Sequence, residues 1–297
     1  MKTKDLIFIL IISLFWGASF LFMRVSAPVF GPVALVMIRM VAAAFILSFI
    51  FLSAANRTSL KQNWKAIAIV GLFNNVLPFV LLSFASTRLE AGFTSLINAS
   101  TPVFAALIGL LWLKNRITRQ QLAGLIIGVS GIYVLSIGHL SFKAGGSGWA
   151  IMAGLMATLC YGFAINLVKS RLQHVNSQVI AAGSVSFAAL MLLGPGLWLW
   201  PSEPIGLIHW SNALLLGFLC TGVALLMFYH LVASAGVMAS ASITFLIPVS
   251  AILWGYVVLQ EVITFKMIIA MAITFFGTAL CNRLIKWPLF KKSAAVP

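Results

Sequence analysis

An all-α integral membrane protein of ten spans, built as two inverted copies of five, is the fold this sequence predicts. Three observations carry the prediction. Of 297 residues, 62% are hydrophobic and only 8% charged, with a mean hydropathy of +1.11, whereas a water-soluble domain carries roughly 25% charged residues. That much apolar side chain calls for a bilayer. The chain also divides into ten apolar runs near the length a bilayer demands, about 17 to 25 residues. Finally, its second half repeats the first at a nearly fixed offset.

Taken in order, the predicted spans are approximately Leu6 to Met23, Val33 to Leu52, Ile67 to Ser86, Ala91 to Leu113, Leu122 to Ile137, Gly148 to Val168, Val179 to Trp200, Ser211 to Ala233, Met238 to Leu259 and Phe265 to Leu284. The first follows Lys2 and Lys4. It is too long for a secretory leader and lacks a clean small-residue cleavage site, so it reads as a retained helix. The second holds Arg39 and the third Asn74 and Asn75. The fourth places Pro102 behind Asn98, Ser100 and Thr101. The fifth is short and carries Gly124, Gly128 and Gly131, a small-residue face suited to close helix packing or a dimer contact. Tyr161 lies in the sixth span, Thr221 and His230 in the eighth, and Thr244 and Pro248 in the ninth. The stretches 53–65 and 138–147 read as ordinary loops. Cys160, Cys220 and Cys281 fall in different spans and read as free buried thiols.

The formal charge of +15 suggests a polyanion partner at first sight, but topology explains it better. Of the 19 Lys and Arg residues, fourteen share one side: Lys2, Lys4, Arg57, Lys61, Lys65, Lys114, Arg116, Arg119, Lys169, Arg171, Arg283, Lys286, Lys291 and Lys292. Arg24, Arg88, Lys143 and Lys266 share the other, with Glu90, Glu203 and Glu261. The positive-inside rule then places both termini in the cytoplasm. The basic excess becomes a skirt facing anionic lipid, and no nucleic-acid partner is expected.

At an offset of 146, Pro102 lies over Pro248, Asn98 over Thr244, Asn75 over Thr221 and Leu113 over Leu259; at 145, Trp16 lies over Tyr161, Gly17 over Gly162 and Arg24 over Lys169. Residues 1–143 and 144–297 are therefore the expected copies. Because five is odd, the second enters the membrane from the opposite side, the inverted-repeat plan of secondary transporters, whose substrate site lies near the midplane.

The segments "SLFWGASFLFMR", "PVALVMIRMVAAAFIL" and the proline-centred fourth span ending in "LKNRIT", laid out twice over nearly the whole chain, resemble EamA-type carriers of the drug/metabolite transporter superfamily. The resemblance implies export, exchange or facilitated diffusion of amino acids or related metabolites across a bacterial-type inner membrane, with multidrug or organic-cation export as an alternative. The family's helix-ending glutamate is present as Glu261 but replaced by Asn115 in the first copy. At the place of Arg39 the second copy has Ser184.

A proline inside a membrane helix frees a carbonyl four residues back, which needs a polar neighbour or a wet cavity. Pro102 and Pro248 thus read as gating kinks. The polar face of Thr94, Asn98 and Thr101, with Ser240 and Thr244 opposite, reads as pathway lining, helix glue being the plainer alternative. Asn74, Asn75 and Thr221 are further head-group candidates, since buried carboxamides in lipid require partners. Trp16, Phe79, Tyr161 and Trp254 are candidates for contacting a substrate side chain, with plain core packing the equal alternative for the mid-span pair Trp16 and Tyr161. Arg39 is expected to serve a structural or gating role, as an ion pair with Glu261 or Glu90 or through a carbonyl contact, with a substrate carboxylate as the second reading. His230 reads first as a packing histidine, with a proton group as the second reading.

No Asp or Glu falls in the middle of a span, which points to exchange or uniport rather than a carboxylate proton relay. With Arg39 the lone mid-span cation, phosphorylated substrates are disfavoured. The scattered histidines offer neither a nucleophile–base pair nor a metal cluster. The expectation is therefore a monomeric or homodimeric carrier, not an enzyme, with no cofactor and no metal.

Overall fold

The computed structural model describes residues 3–114, 118–143, 145–282 and 284–285, and Asn115 lies outside them, as does the side chain of Ser240. Among the described residues all regular structure is helical, in ten rods. These are α1 (Thr3–Phe30), α2 (Pro32–Leu52), α3 (Ala54–Ser86), α4 (Ala91–Leu111), α5 (Arg119–Ser136), α6 (Gly148–Arg171), α7 (Ser177–Trp198), α8 (Leu207–Gly236), α9 (Ile243–Leu259) and α10 (Phe265–Cys281). Seven, α1 to α4 and α6 to α8, are long and apolar enough to cross a membrane. The polar start Arg119-Gln120-Gln121 lowers the hydropathy of α5. α9 and α10 have 17 residues each, about 26 Å at 1.5 Å per residue.

Helix boundaries exceed the hydropathy runs where polar residues are good helix formers. Stretch 53–65 is the clearest correction, since from Ala54 it is the first part of α3 and not a loop. Lys, Gln and Arg favour helix in water as well as apolar residues do. The corner is closed by Asn56, which donates to Ile50 O at 2.8 Å, and by Arg57 Nη1, which donates to Phe51 O at 2.8 Å and Leu52 O at 2.9 Å. At the other end of α2, Gly31 takes φ 76°, a left-handed turn that a side chain would resist, and Pro32 opens the helix.

Two rods contain a π-helical turn, Leu72–Val76 in α3 and Phe218–Val223 in α8. They stand 146 residues apart and directly follow Gly71 and Gly217. A π turn widens the helix by one residue and is frequently found at functional sites.

The contacts between rods respect the same exchange. α1 packs on α9 as α6 packs on α4; α2 packs on α8 as α7 packs on α3; α2 with α7, α4 with α9 and α5 with α10 pair with their own counterparts. At the first of these crossings Gly17 lets α1 lie against Ser250 and the backbone of Ala251, and Gly162 lets α6 lie against the backbone of Phe104 and Ala105. The α5–α10 seam is formed by Gly124, Gly128 and Gly131 against Thr274, Gly277 and Cys281, with Val103 of α4 also in contact. The glycine face is therefore occupied within the chain, which corrects its reading as a dimer contact. The largest apolar core joins α1, α2, α3 and α7 with the first half of α8. All three cysteines are buried and free.

Candidate functional site

The two π turns present their polar side chains toward the opposite half. From α8, Thr221 is 3% exposed, its hydroxyl donating to Leu216 O at 2.8 Å and accepting from Arg39 Nε of α2 at 2.9 Å. From α3, Asn75 is 4% exposed and its Nδ2 donates to Ser184 Oγ of α7 at 3.1 Å. Ser184 in turn donates to Ala181 O at 3.0 Å, and Asn74 Nδ2 donates to Asn75 Oδ1 at 3.3 Å. Each half thus ties its second rod to the π turn of the other half's third rod. Arg39 and Ser184 occupy the matching places.

Arg39 is the hub of an aromatic and polar cluster. It is 3% exposed, and its guanidinium carbon lies 3.5 Å from the centre of the Phe79 ring, a cation–π geometry. Nη1 lies 3.8 Å from Met23 Sδ. Phe79 follows Asn75 by one helical turn on the same face, and the Tyr161 ring of α6 meets it edge-on at 6.2 Å. Arg39, Asn75, Thr221, Phe79 and Tyr161 are thereby brought together, with Met23 and Ser184 as members that sequence reasoning did not assign. Ser184 was signalled by the repeat itself, since it lies under Arg39; Met23 had no signal.

The expected partnership of Arg39 with Glu261 or Glu90 does not form. Glu261 belongs to the end of the bundle where α1, α3, α4 and α9 meet: both carboxylate oxygens accept from the Ala91 N–H, at 3.1 and 3.0 Å, and Oε1 lies 3.7 Å from Arg24 Nε. Arg24 also donates to Ser86 O at 3.1 Å. A carboxylate at the first amide of α4 is favoured by the helix dipole. Arg39 is too deep in α2 to reach this clasp, and its acceptor is Thr221. Burial pushes the Glu261 carboxyl above the ordinary glutamate range, against the Ala91 amide and Arg24; burial likewise raises Glu90, opposed by Arg24. At the other end of α1, Ser234 of α8 donates to the buried carboxylate of Asp5 at 3.0 Å.

The remaining candidates make no hydrogen bond or ring contact with this cluster among the described residues, although Trp254 packs on the same apolar core as Met23, Phe79 and Tyr161. α4 breaks between Asn98 and Thr101, and the polar residues there satisfy the break. Ser100 donates to Ile97 O at 2.6 Å, Thr101 to Asn98 O at 2.7 Å, and Thr278 of α10 to Ala99 O at 3.5 Å. Pro102 opens the second segment, where its missing N–H costs little, whereas Pro248 lies inside an unbroken α9. Asn98 Oδ1 is buried without a partner among the described residues. Thr94 is fully buried and donates to Glu90 O at 3.1 Å. Thr244 is half-buried in the first turn of α9. Trp16 packs on Phe228 at 5.3 Å. Trp254 donates from Nε1 to Leu14 O at 3.1 Å, fastening α9 to α1. His230 is exposed, its ring 5.2 Å from Phe8. Two surface cavities, about 830 Å³ beside Phe45, Leu197 and Trp210 and about 560 Å³ beside Arg57, Lys61 and Trp64, are not lined by the cluster.

Comparison with known proteins bears on the family and the fold. The model of the EamA-like transporter family matches twice, over residues 3–137 and 148–283. An uncharacterized transporter of Bacillus subtilis, YvbV, is 24% identical over 99% of this chain and 96% of its own length. A probable terminal-alkyne amino-acid exporter of Streptantibioticus cattleyicolor is also 24% identical, over 95% of each chain. A crystal structure with 19% identity superposes with a TM-score of 0.61 over 96% of this chain and 98% of that one, a likeness of fold.

Proposed function

The chain belongs to the EamA-like transporter family, and from that premise we propose that it is a secondary carrier for small neutral or zwitterionic metabolites, most plainly amino acids or their derivatives. The observation that carries the reading is the pair of crossed contacts, Arg39 with Thr221 and Asn75 with Ser184, at two π turns between the halves. Inverted repeats work by rocking one bundle against the other around a site at their interface. Contacts that bridge the halves at mid-depth are where such a site belongs. The amino-acid exporter among the relatives supports the substrate class. The buried central charge is a cation, which disfavours the organic-cation alternative.

The basic skirt supports cytoplasmic termini in a bacterial-type inner membrane, and the missing mid-span carboxylates support exchange or uniport. Counterflow into proteoliposomes tests this. Preloaded unlabelled amino acid is expected to drive uptake of the labelled form without an imposed proton gradient. Uptake that requires a proton gradient, and still does in His230→Ala, contradicts the coupling assignment.

A further inference from the structure

We infer that Arg39 is the anchor for a substrate carboxylate, so that this carrier takes monocarboxylates bearing an apolar or aromatic side chain; the inference rests on the transport reading above. A guanidinium has five N–H donors in a planar fork suited to a carboxylate. Here Nε meets Thr221 Oγ1 at 2.9 Å, Nη1 meets only the Met23 sulfur, and the cationic carbon rests on Phe79. Among the described residues no carboxylate lies within ion-pair distance, and no backbone carbonyl accepts from it. The titratable groups that face it are the Tyr161 phenol and the Cys220 thiol, both neutral near pH 7 by their ordinary values.

A charge 3% exposed in the middle of a membrane helix is unfavourable unless something pairs with it. The same chain does supply a carboxylate for Arg24, as Glu261. Pseudo-symmetry sharpens the point. The structural task at this place, bridging to the opposite π turn, is performed in the other half by the hydroxyl of Ser184. The guanidinium exceeds what the scaffold needs there. A carboxylate brought by the substrate supplies the counter-charge and two acceptors, while Phe79 and Tyr161 offer ring surface to the rest of the molecule. One cation matches a monoanion; a phosphate dianion calls for more.

The test uses full-length protein in proteoliposomes, with L-phenylalanine and L-leucine against their amides as competing probes. Wild type is expected to prefer each acid over its amide by about tenfold or more, the scale of a charge-assisted hydrogen bond. Arg39→Gln should erase that preference by weakening the acids alone, and Arg39→Lys should keep part of it. If Arg39→Gln fails to fold, Thr221→Val, which removes the acceptor that orients Nε, should show a smaller loss confined to the acids. Equal use of acid and amide by wild type, or an unchanged ratio in folded Arg39→Gln, overturns the assignment while the carrier reading stands. Absence of flux for every probe overturns both.

Discussion

Arg39 and Ser184 stand at the same place in the two halves, and each bridges to the π turn of the other half, yet one is a buried cation and the other a neutral hydroxyl. The backbone frame around them is nearly symmetric, down to the glycines at the α1–α9 and α6–α4 crossings. What differs is the chemistry at the centre. The contacts common to both halves are what the fold requires, and the departure at Arg39 is what the proposed substrate contact would use.

The comparison breaks most severely where both halves rely on close backbone approach. Gly162→Val places a side chain where even a Cβ would sit 3.0 Å from the Ala105 nitrogen, and Gly17→Val one where a Cβ would sit 2.4 Å from Ser250 Oγ. Each should destabilise by about 1–3 kcal/mol or more from overpacking, by thermal melting in detergent. A mild effect in one copy only would show that the crossings are not equivalent.

Smaller and unequal losses are expected at the bridges. Thr221→Val leaves a charged buried donor without its oxygen acceptor, about 1–3 kcal/mol. Ser184→Ala removes a neutral hydrogen bond of the kind that averages about 0.6 kcal/mol in membrane proteins. Equal losses would mean that the charge at Arg39 is already satisfied elsewhere.

The clasp at Glu261 adds a pH dependence. Burial raises the carboxyls of Glu261 and Glu90 in the folded protein, so the folded state takes up these protons more readily than the unfolded chain. Their contribution is therefore fully present at low pH, below the ordinary glutamate value, and fades as pH rises through the raised folded value. Melting temperature should climb on acidification across that window, and the slope should flatten in Glu261→Gln with Glu90→Gln. The smallest effect is expected of His230→Ala. An exposed ring against Phe8 should leave flux and its pH profile close to wild type.

Much of the fold was legible because hydropathy and repetition are coarse signals that survive divergence. The offset placing Pro102 on Pro248 also placed Asn75 on Thr221, the two π-turn residues. The π turns themselves were hidden, since one extra residue per turn leaves composition unchanged; only Gly71 over Gly217 hinted at a shared local feature. Span order groups Arg39 with Glu261 at one end of the bundle but does not resolve depth within a span: Arg39 lies about two turns past Pro32, where its acceptor is Thr221, while Glu261 closes on Ala91 and Arg24. Thr101, a pathway-lining candidate, donates its hydroxyl to Asn98 O at the break in α4, as neighbouring Ser100 does to Ile97 O, a local role that helical spacing does not reveal. The polar start of α3 escaped a hydropathy reading altogether.

In the proposed carrier solute passes between the halves, so that the Arg24–Glu261 clasp, which ties α1 to the residues just past α9, must open during transport. Cysteines at these two positions, with Cys160, Cys220 and Cys281 replaced by alanine, allow a short reducible bis-thiol linker to hold that end shut in proteoliposomes. Amino-acid counterflow should stop on cross-linking and return on reduction. Counterflow that continues at an undiminished rate in fully cross-linked protein would contradict the claim.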